Sequence, residues 1–387
     1  MLQLHQKTDW LSLSWILIIF GLFIYSFTQI DLGLTLTQLS VWQVIQRNFQ
    51  YIGYFNRPLS TLIYLFLVII LFILYYLIIK SADRFGIKKI WQLIIITAIF
   101  LWLSYNAFSY DLFNYIFDAK IFTYYHLNPY IYKALDFSND PMLGFMHWTH
   151  RVYPYGPVWL AITIPLSYLG FQKLLLTIYL FKGVAALSYL LSCWSIYKIL
   201  EKINPTKKIT GLVLFAFNPL VIIESLVSAH NDIVMLALVL WAFVLVLNQE
   251  KVKIGFGLLL SIGIKFATGI LAPIFLYISI KKESLNSKLF LYCGLLMLVV
   301  FIAVSLRTEL QPWYLLYLLP FVVLADSEWF FWPVMILSFG LLLHYVPYLF
   351  AGNWDPPIPM IKNIITYSSV IIGLIIALSK RKTKSML

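Results

Sequence analysis

Charge is in short supply in this chain: only 11% of its 387 residues are Asp, Glu, Lys or Arg, against about 25% in ordinary soluble domains. That shortage argues against a water-soluble globule. Cysteine is nearly absent as well. Cys193 and Cys293 both lie inside apolar runs, which leaves no disulfide framework and no cysteine metal cluster. The sequence also lacks a D-x-D pair, an internal repeat and a low-complexity segment. The formal charge of +12 is not a nucleic-acid signal, because no basic segment stands apart from the apolar runs.

What is present is apolar: 61% hydrophobic and 18% aromatic residues. Several runs approach or exceed the ~18 residues that span about 30 Å of hydrocarbon as a helix, the open-chain structure that satisfies its own backbone there. The expected fold class is all-α, a polytopic transmembrane helical bundle of roughly 10–13 membrane segments. Basic residues cluster between the runs in "KSADRFGIKK", "EKINPTKK", "KKESLNSK" and the tail "SKRKTKSML", and such clusters mark cytoplasmic loops. Lys7 precedes an apolar run without a small-x-small cleavage site, so that run is expected to stay as a span.

With the basic clusters inside, the runs alternate: 12–30 outward, 58–79 inward, 90–108 outward. The loop 109–155 is then extracytoplasmic. The short run 156–170 is expected to be re-entrant, and 174–197 returns inward. Next come 209–227 outward and 232–247 inward, with Lys251 and Lys253 back inside. The run 254–280 has Lys265 at its middle and basic residues on both sides, which points to two half-length helices. The runs 289–306, 312–324, 329–350 and 360–378 complete a count of about ten full crossings and one or two partial ones. Both termini are expected in the cytoplasm, in one integral membrane domain over 1–387 of a cell membrane protein.

The chemistry gathers on the expected outer face. Asp111, Asn114, Tyr115 and Asp118 stand at i, i+3, i+4 and i+7, opposite Leu112, Phe113, Ile116 and Phe117, which predicts an amphipathic helix at the interface. Its polar stripe is either simply solvated or part of a reactive site. Three residues beyond a span, partial desolvation raises a carboxylate's pKa toward the range useful for a base, which singles out Asp111. Lys120 follows on the same helix. "LNPY", with Asn128 and Tyr130, and "RVYPYGP", with Arg151 and Tyr155, interleave turn formers with aromatics. In "NPLVIIESLVSAHND", Glu224 is an intramembrane carboxylate, structural or functional. His230, Asn231 and Asp232 are either a capped helix turn or part of the Asp111 cavity, and are too few for a metal site. Basic residues on the outer side run against the orientation bias: Arg57, Lys120, Lys133, Arg151, Lys265 and Arg307. Lys265 suits a phosphate counter-ion, and Arg307 precedes the aromatic re-entry at Trp313 and Tyr314.

In order, "SYDLFNYIFDAKIFTYYHLNPY", "YPYGPVWL", "NPLVIIESLVSAHND", "GIKFATGILAP" and "QPWYLLYLLP" resemble the multispanning GT-C glycosyltransferases, most closely the bacterial polyprenyl-phosphate-mannose-dependent mannosyltransferases. The likeness runs over about 91–324. It divides the chain into two additional spans (1–89), a GT-C-like module (90–325) with the external loop 109–155, and C-terminal spans with a basic tail (326–387). The resemblance implies inverting transfer of a sugar from a polyprenyl-phosphate donor to a glycan or glycolipid hydroxyl outside the membrane. It makes Asp111 the general base, and the residues expected to contact substrate are Asn114, Tyr115, Asp118, Lys120, Asn128, Tyr130, Arg151, Tyr155, His230, Asn231, Asp232, Lys265, Arg307, Trp313 and Tyr314. Lys265, Arg151 or Arg307 would stabilise the leaving lipid phosphate, so no divalent cation or other cofactor is required. The first two spans depart from the pattern. A flippase or transporter shares the intramembrane charges and broken helices of this chain but often carries an internal repeat, which is not found here, and a lipid-sugar polymerase or ligase would rely on external arginines and a histidine. A purely structural subunit leaves the Asp111 stripe and Lys265 unexplained.

Overall fold

The computed structural model describes residues 2–247 and 251–385, with side chains for 8–247 and 254–380. Lys7, Lys251, Lys253 and the basic tail beyond Lys380 therefore fall outside the described side chains. No strand occurs among the described residues. In chain order the helices are α1 (Leu2–Ser26), α2 (Ser40–Gln50), α3 (Arg57–Lys80), α4 (Ile87–Trp102), α5 (Asp111–Thr123), α6 (Pro157–Leu169), α7 (Leu174–Ile203), α8 (Lys208–Ala216) and α9 (Pro219–Ile222). They continue with α10 (Asp232–Leu247), α11 (Lys251–Ile264), α12 (Ala272–Lys281), α13 (Ser287–Thr308), α14 (Leu319–Ala325), α15 (Glu328–Leu343), α16 (Tyr345–Ala351) and α17 (Ile358–Ser385).

Six helical stretches among the described residues are long and apolar enough to cross a membrane: Thr8–Gln29, Arg57–Lys80, Leu174–Ile203, Ser287–Thr308, Glu328–Ala351 and Ile358–Lys380. A seventh is a broken pair, Pro205–Ala216 and Pro219–Val227, bent by 54°. Five further apolar helices are shorter. Full-length crossings are thus fewer than expected from the sequence, for local reasons. α4 stops at Trp102, and the backbone beyond it is satisfied from elsewhere: Tyr105 N donates to Ser26 Oγ at 2.9 Å. The run 209–227 breaks where Pro219 lacks an N–H, and the Asn218 side chain accepts from Leu220 N (2.9 Å) and Val221 N (3.4 Å). The run 254–280 divides at Lys265, which is extended (φ −144°, ψ 131°) between α11 and a 3₁₀ turn leading to α12.

The bundle has two chemically distinct ends. At one, Gln29 Nε2 donates to Ser60 Oγ (3.2 Å), Arg57 Nη1 to the Leu349 carbonyl (3.5 Å) and Lys362 Nζ to Glu309 Oε1 (2.7 Å). These contacts gather the ends of α1, α3, α13, α16 and α17 beside α5. At the other, Lys89 pairs with Asp9, Lys207 with Asp326 (2.5 Å), and Lys198 and Lys208 with Glu201 (both 3.0 Å). Three of the basic clusters, around Lys80, Lys207 and Lys281, lie toward this second end.

Candidate active site

α5 begins at Asp111 because the chain before it is held in a turn. Asn106 Nδ2 donates to the Ser109 carbonyl, and Ser109 Oγ accepts from Asp111 N at 3.2 Å. A carboxylate in the first turn is also favoured by the helix dipole. The helix lies where its spacing predicts, but it is not laid on a surface: every side chain from Asp111 to Phe117 is buried. The polar stripe is enclosed by protein rather than solvated.

Asp111 faces His230, with Oδ2 3.5 Å from Nδ1, and Oδ1 lies 4.0 Å from Arg151 Nη2. His230 is fully buried, stacks on Trp313 with ring centres 4.1 Å apart, and presents Nε2 to Glu224 Oε2 at 3.4 Å. Neither imidazole nitrogen has a hydrogen-bonding partner at these separations, and Glu224 Oε2 has none either. The other Glu224 oxygen accepts from Tyr345 OH at 3.0 Å. One imidazole therefore lies between two buried carboxylates.

The electrostatics correct one expectation. Burial alone would raise Asp111, as the sequence suggested, but His230 first, then Arg151 and Lys265, outweigh it and hold the carboxyl below its ordinary value. Asp118, two turns further along the same face, goes the other way. Burial pushes it up to about 8, with Arg151 opposing and Asp111 adding to the rise. At neutral pH the stripe thus carries one ionised and one protonated carboxyl.

Tyr115 OH donates to Asn231 Oδ1 at 3.4 Å, and its ring meets Tyr155 edge-on at 5.2 Å. Asp232 is fully buried and accepts from Lys265 Nζ at 2.8 Å on both oxygens; the same ammonium lies 5.5 Å from the centre of the Tyr155 ring. Tyr155 reaches Lys265 because α6 starts against the end of α11: Gly156 N donates to Ile264 O at 3.0 Å, and a Cβ on Gly156 would stand 2.2 Å from the Gly263 carbonyl oxygen. Asn114 Nδ2 donates to the His147 carbonyl at 2.8 Å. His230, Asn231 and Asp232 thus belong with the α5 stripe.

Other residues singled out in the sequence hold structure or lie apart. Lys120 pairs with Asp140, which also accepts from Tyr125 OH at 2.7 Å. Asn128 Oδ1 closes its own turn by accepting from Tyr130 N (2.9 Å), while Tyr130 OH donates to the Tyr155 carbonyl (3.3 Å). Tyr314 OH bonds with Thr308 Oγ1 at 3.0 Å. Arg307 is exposed at the end of α13. Lys265 already has Asp232 as its counter-ion.

Two spaces open near α5. A cleft of about 1270 Å³ holds Lys120, Tyr125 and Asp140 but not Asp111. The smaller cavity, about 330 Å³, is the one that Asp111 and Trp313 line, together with Arg57, Tyr348, Trp354 and Lys362. Arg57 stood out in the sequence only as an outer positive charge. Lys362 was missed, although a lone lysine in the apolar run that begins α17 is a readable signal. No group of three His, Cys, Asp or Glu side chains among the described residues converges to hold a metal.

The fold and this centre define a multi-span membrane protein with an enclosed carboxylate–imidazole site at one end of its bundle. Residues 19–281, more than half of the chain, match the model of the MptA_B family, described as alpha-(1->6)-mannopyranosyltransferase, N-terminal domain. The chain belongs to that mannosyltransferase family, and is a membrane glycosyltransferase by family. The match begins inside α1 and takes in α3, so it includes the segment for which the likeness had no counterpart. No curated protein and no solved structure matches the chain.

Proposed function

We propose that the protein transfers mannose from a polyprenyl-phosphate carrier to a hydroxyl of a glycan or glycolipid on the extracytoplasmic face, as a GT-C type enzyme that inverts the anomeric centre. The α-(1→6) linkage in the family's description supports a sugar 6-hydroxyl as the acceptor group, and a mannoside is the acceptor we propose. Inversion to an α product requires a β-linked donor. The reading rests on one observation: Asp111 is buried, held ionised by its neighbours and opens on a cavity large enough for a hexose.

In the reaction, the acceptor oxygen forms its bond to the anomeric carbon as the bond from that carbon to the phosphate oxygen breaks. The acceptor proton passes to Asp111 Oδ, and polyprenyl phosphate leaves. Such base catalysis typically contributes about 10²- to 10⁴-fold. His230 and Arg151 keep the carboxylate charged until the acceptor arrives. Orientation is supported by charge: the basic loops gather at the end opposite the site, and the positive-inside bias favours a cytoplasmic side for them and an outer side for the site. Nucleotide sugars are cytosolic, so a site outside needs a lipid-borne donor.

The test is transfer from polyprenyl-phosphate mannose to a short α-mannoside by wild type and by Asp111→Asn. Loss of about 10²-fold or more, with unchanged elution and melting, is the expected result. Equal rates would remove Asp111 from the role of base.

A further inference from the structure

The cavity that Asp111 lines also holds a second group of polar residues. Arg57, the first residue of α3, lines the space with its guanidinium 5.6 Å from the Tyr54 ring centre. Its Nη1 makes one long bond, 3.5 Å, to the Leu349 carbonyl, and among the described residues no carboxylate pairs with it. A guanidinium has five N–H donors in a planar fork, so most of them have no protein acceptor at this half-buried position.

The guanidinium sits in a place shaped for it. Gly352 turns the chain there at φ +79°, and a Cβ on it would lie 2.5 Å from Arg57 Cζ. Lys362, which lines the same cavity, is only 4% exposed, with Nζ 2.7 Å from Glu309 Oε1 and 4.8 Å from the Trp354 ring centre. The Glu309 side chain is 55% exposed, so Lys362 is held by an acid at the rim rather than one buried beside it. Trp354 stacks on Tyr348 at 4.4 Å and completes an aromatic wall.

We propose that Arg57 and Lys362 bind the donor's phosphate, a diester before transfer and a monoester after it. The assignment deepens the transferase reading and takes the lipid portion of the ligand from it. Arg57 supplies the planar fork that matches phosphate oxygens, and Lys362 exchanges Glu309 for the incoming anion. The remaining cations near Asp111 have acidic neighbours on that side: Arg151 faces Asp111 and Lys265 holds Asp232. Placing the phosphate at Arg57 puts the leaving group and the base in the same cavity, at a cation that has no carboxylate already paired to it among the described residues.

The experiment is titration of the purified full chain in lipid nanodiscs with a short polyprenyl monophosphate, read by the change in intrinsic tryptophan fluorescence, to which Trp148, Trp313 and Trp354 on the cavity wall contribute. Polyprenol and inorganic phosphate serve as separate probes. Arg57→Gln should weaken binding of the lipid phosphate on the order of ten- to a hundredfold, and Arg57→Lys less. Glu309→Gln, which releases Lys362, should tighten it several-fold, an effect that misfolding does not produce. Polyprenol binding should respond to neither. Unchanged affinity in Arg57→Gln, or weakening in Glu309→Gln, overturns the assignment. So does Arg57-dependent binding of inorganic phosphate without binding of the lipid. If the lipid phosphate binds as stated while no lipid-linked mannose is transferred, the phosphate site stands and the transferase reading falls.

Discussion

A base must be ionised before it can accept a proton, and Asp111 is kept so by its neighbours rather than by water. Its lowered pKa should place the acid limb of kcat/KM below the ordinary carboxylate value of about 3.9. His230→Gln removes the largest of the opposing influences on the burial penalty, so the limb should move upward; a pH–rate profile that does not shift would deny His230 this role. Asp118 carries the opposite sign. With a folded value of about 8 against about 3.9 unfolded, it costs stability progressively as pH rises from about 4 to about 8, and the cost is constant above. Asp118→Asn should therefore melt higher than wild type at pH 9 and little differently at pH 4. At Asp232, Lys265→Met leaves a fully buried carboxylate without its cation and should cost about 3–5 kcal/mol, most of it recovered by adding Asp232→Asn. Thermal scans of the two variants check this. The i, i+3, i+4, i+7 spacing made Asp111 and its stripe legible. The pairing of Asp232 with Lys265 was not, because nothing local relates residues brought together by two separate helices.

The elements were read best where their signals are local. α5 starts at the residue its pattern predicts, and the short 156–170 run is the 13-residue α6. What pattern does not carry is what covers an element. Phe113 and Phe117 are fully buried, each contributing about 1.5–3 kcal/mol, because the loop after α5 folds back over the helix and is fixed there by Lys120, Tyr125 and Asp140. α4 shows the converse. Hydropathy runs through Phe108, but Ser26 on α1 satisfies the Tyr105 N–H and lets the helix end at Trp102. The α6–α11 junction gives an element-scale test. Gly156→Ala places a Cβ 2.2 Å from the Gly263 carbonyl oxygen, so the two helices must part and Tyr155 must move from Lys265. A loss of about 1–3 kcal/mol in thermal stability, with reduced transfer, is expected.

At the scale of the whole molecule, alternation of basic loops foresaw the grouping of charge at one end, since it depends on direction of travel and not on contact detail. Sidedness can be measured directly. Cys193 and Cys293 are buried and should not react with a membrane-impermeant maleimide, so single cysteines report cleanly. Asn139→Cys, in the α5 loop, should label from outside intact cells, and Glu283→Cys, between α12 and α13, only after permeabilisation. Labelling of both from one side would contradict the arrangement.

The matched region stops at residue 281, yet Glu224 is bonded to Tyr345, and Trp313, Trp354 and Lys362 close the space in front of Asp111. The hairpin bearing the last of these is fitted tightly: a Cβ on Gly340 would meet Ser369 Oγ at 2.0 Å, and one on Gly373 would meet Pro333 Cα at 2.5 Å. A chimera joining 19–281 to foreign C-terminal helices would inherit the acid–imidazole pair without its lid. Any lineage that varies the two halves must therefore vary them together.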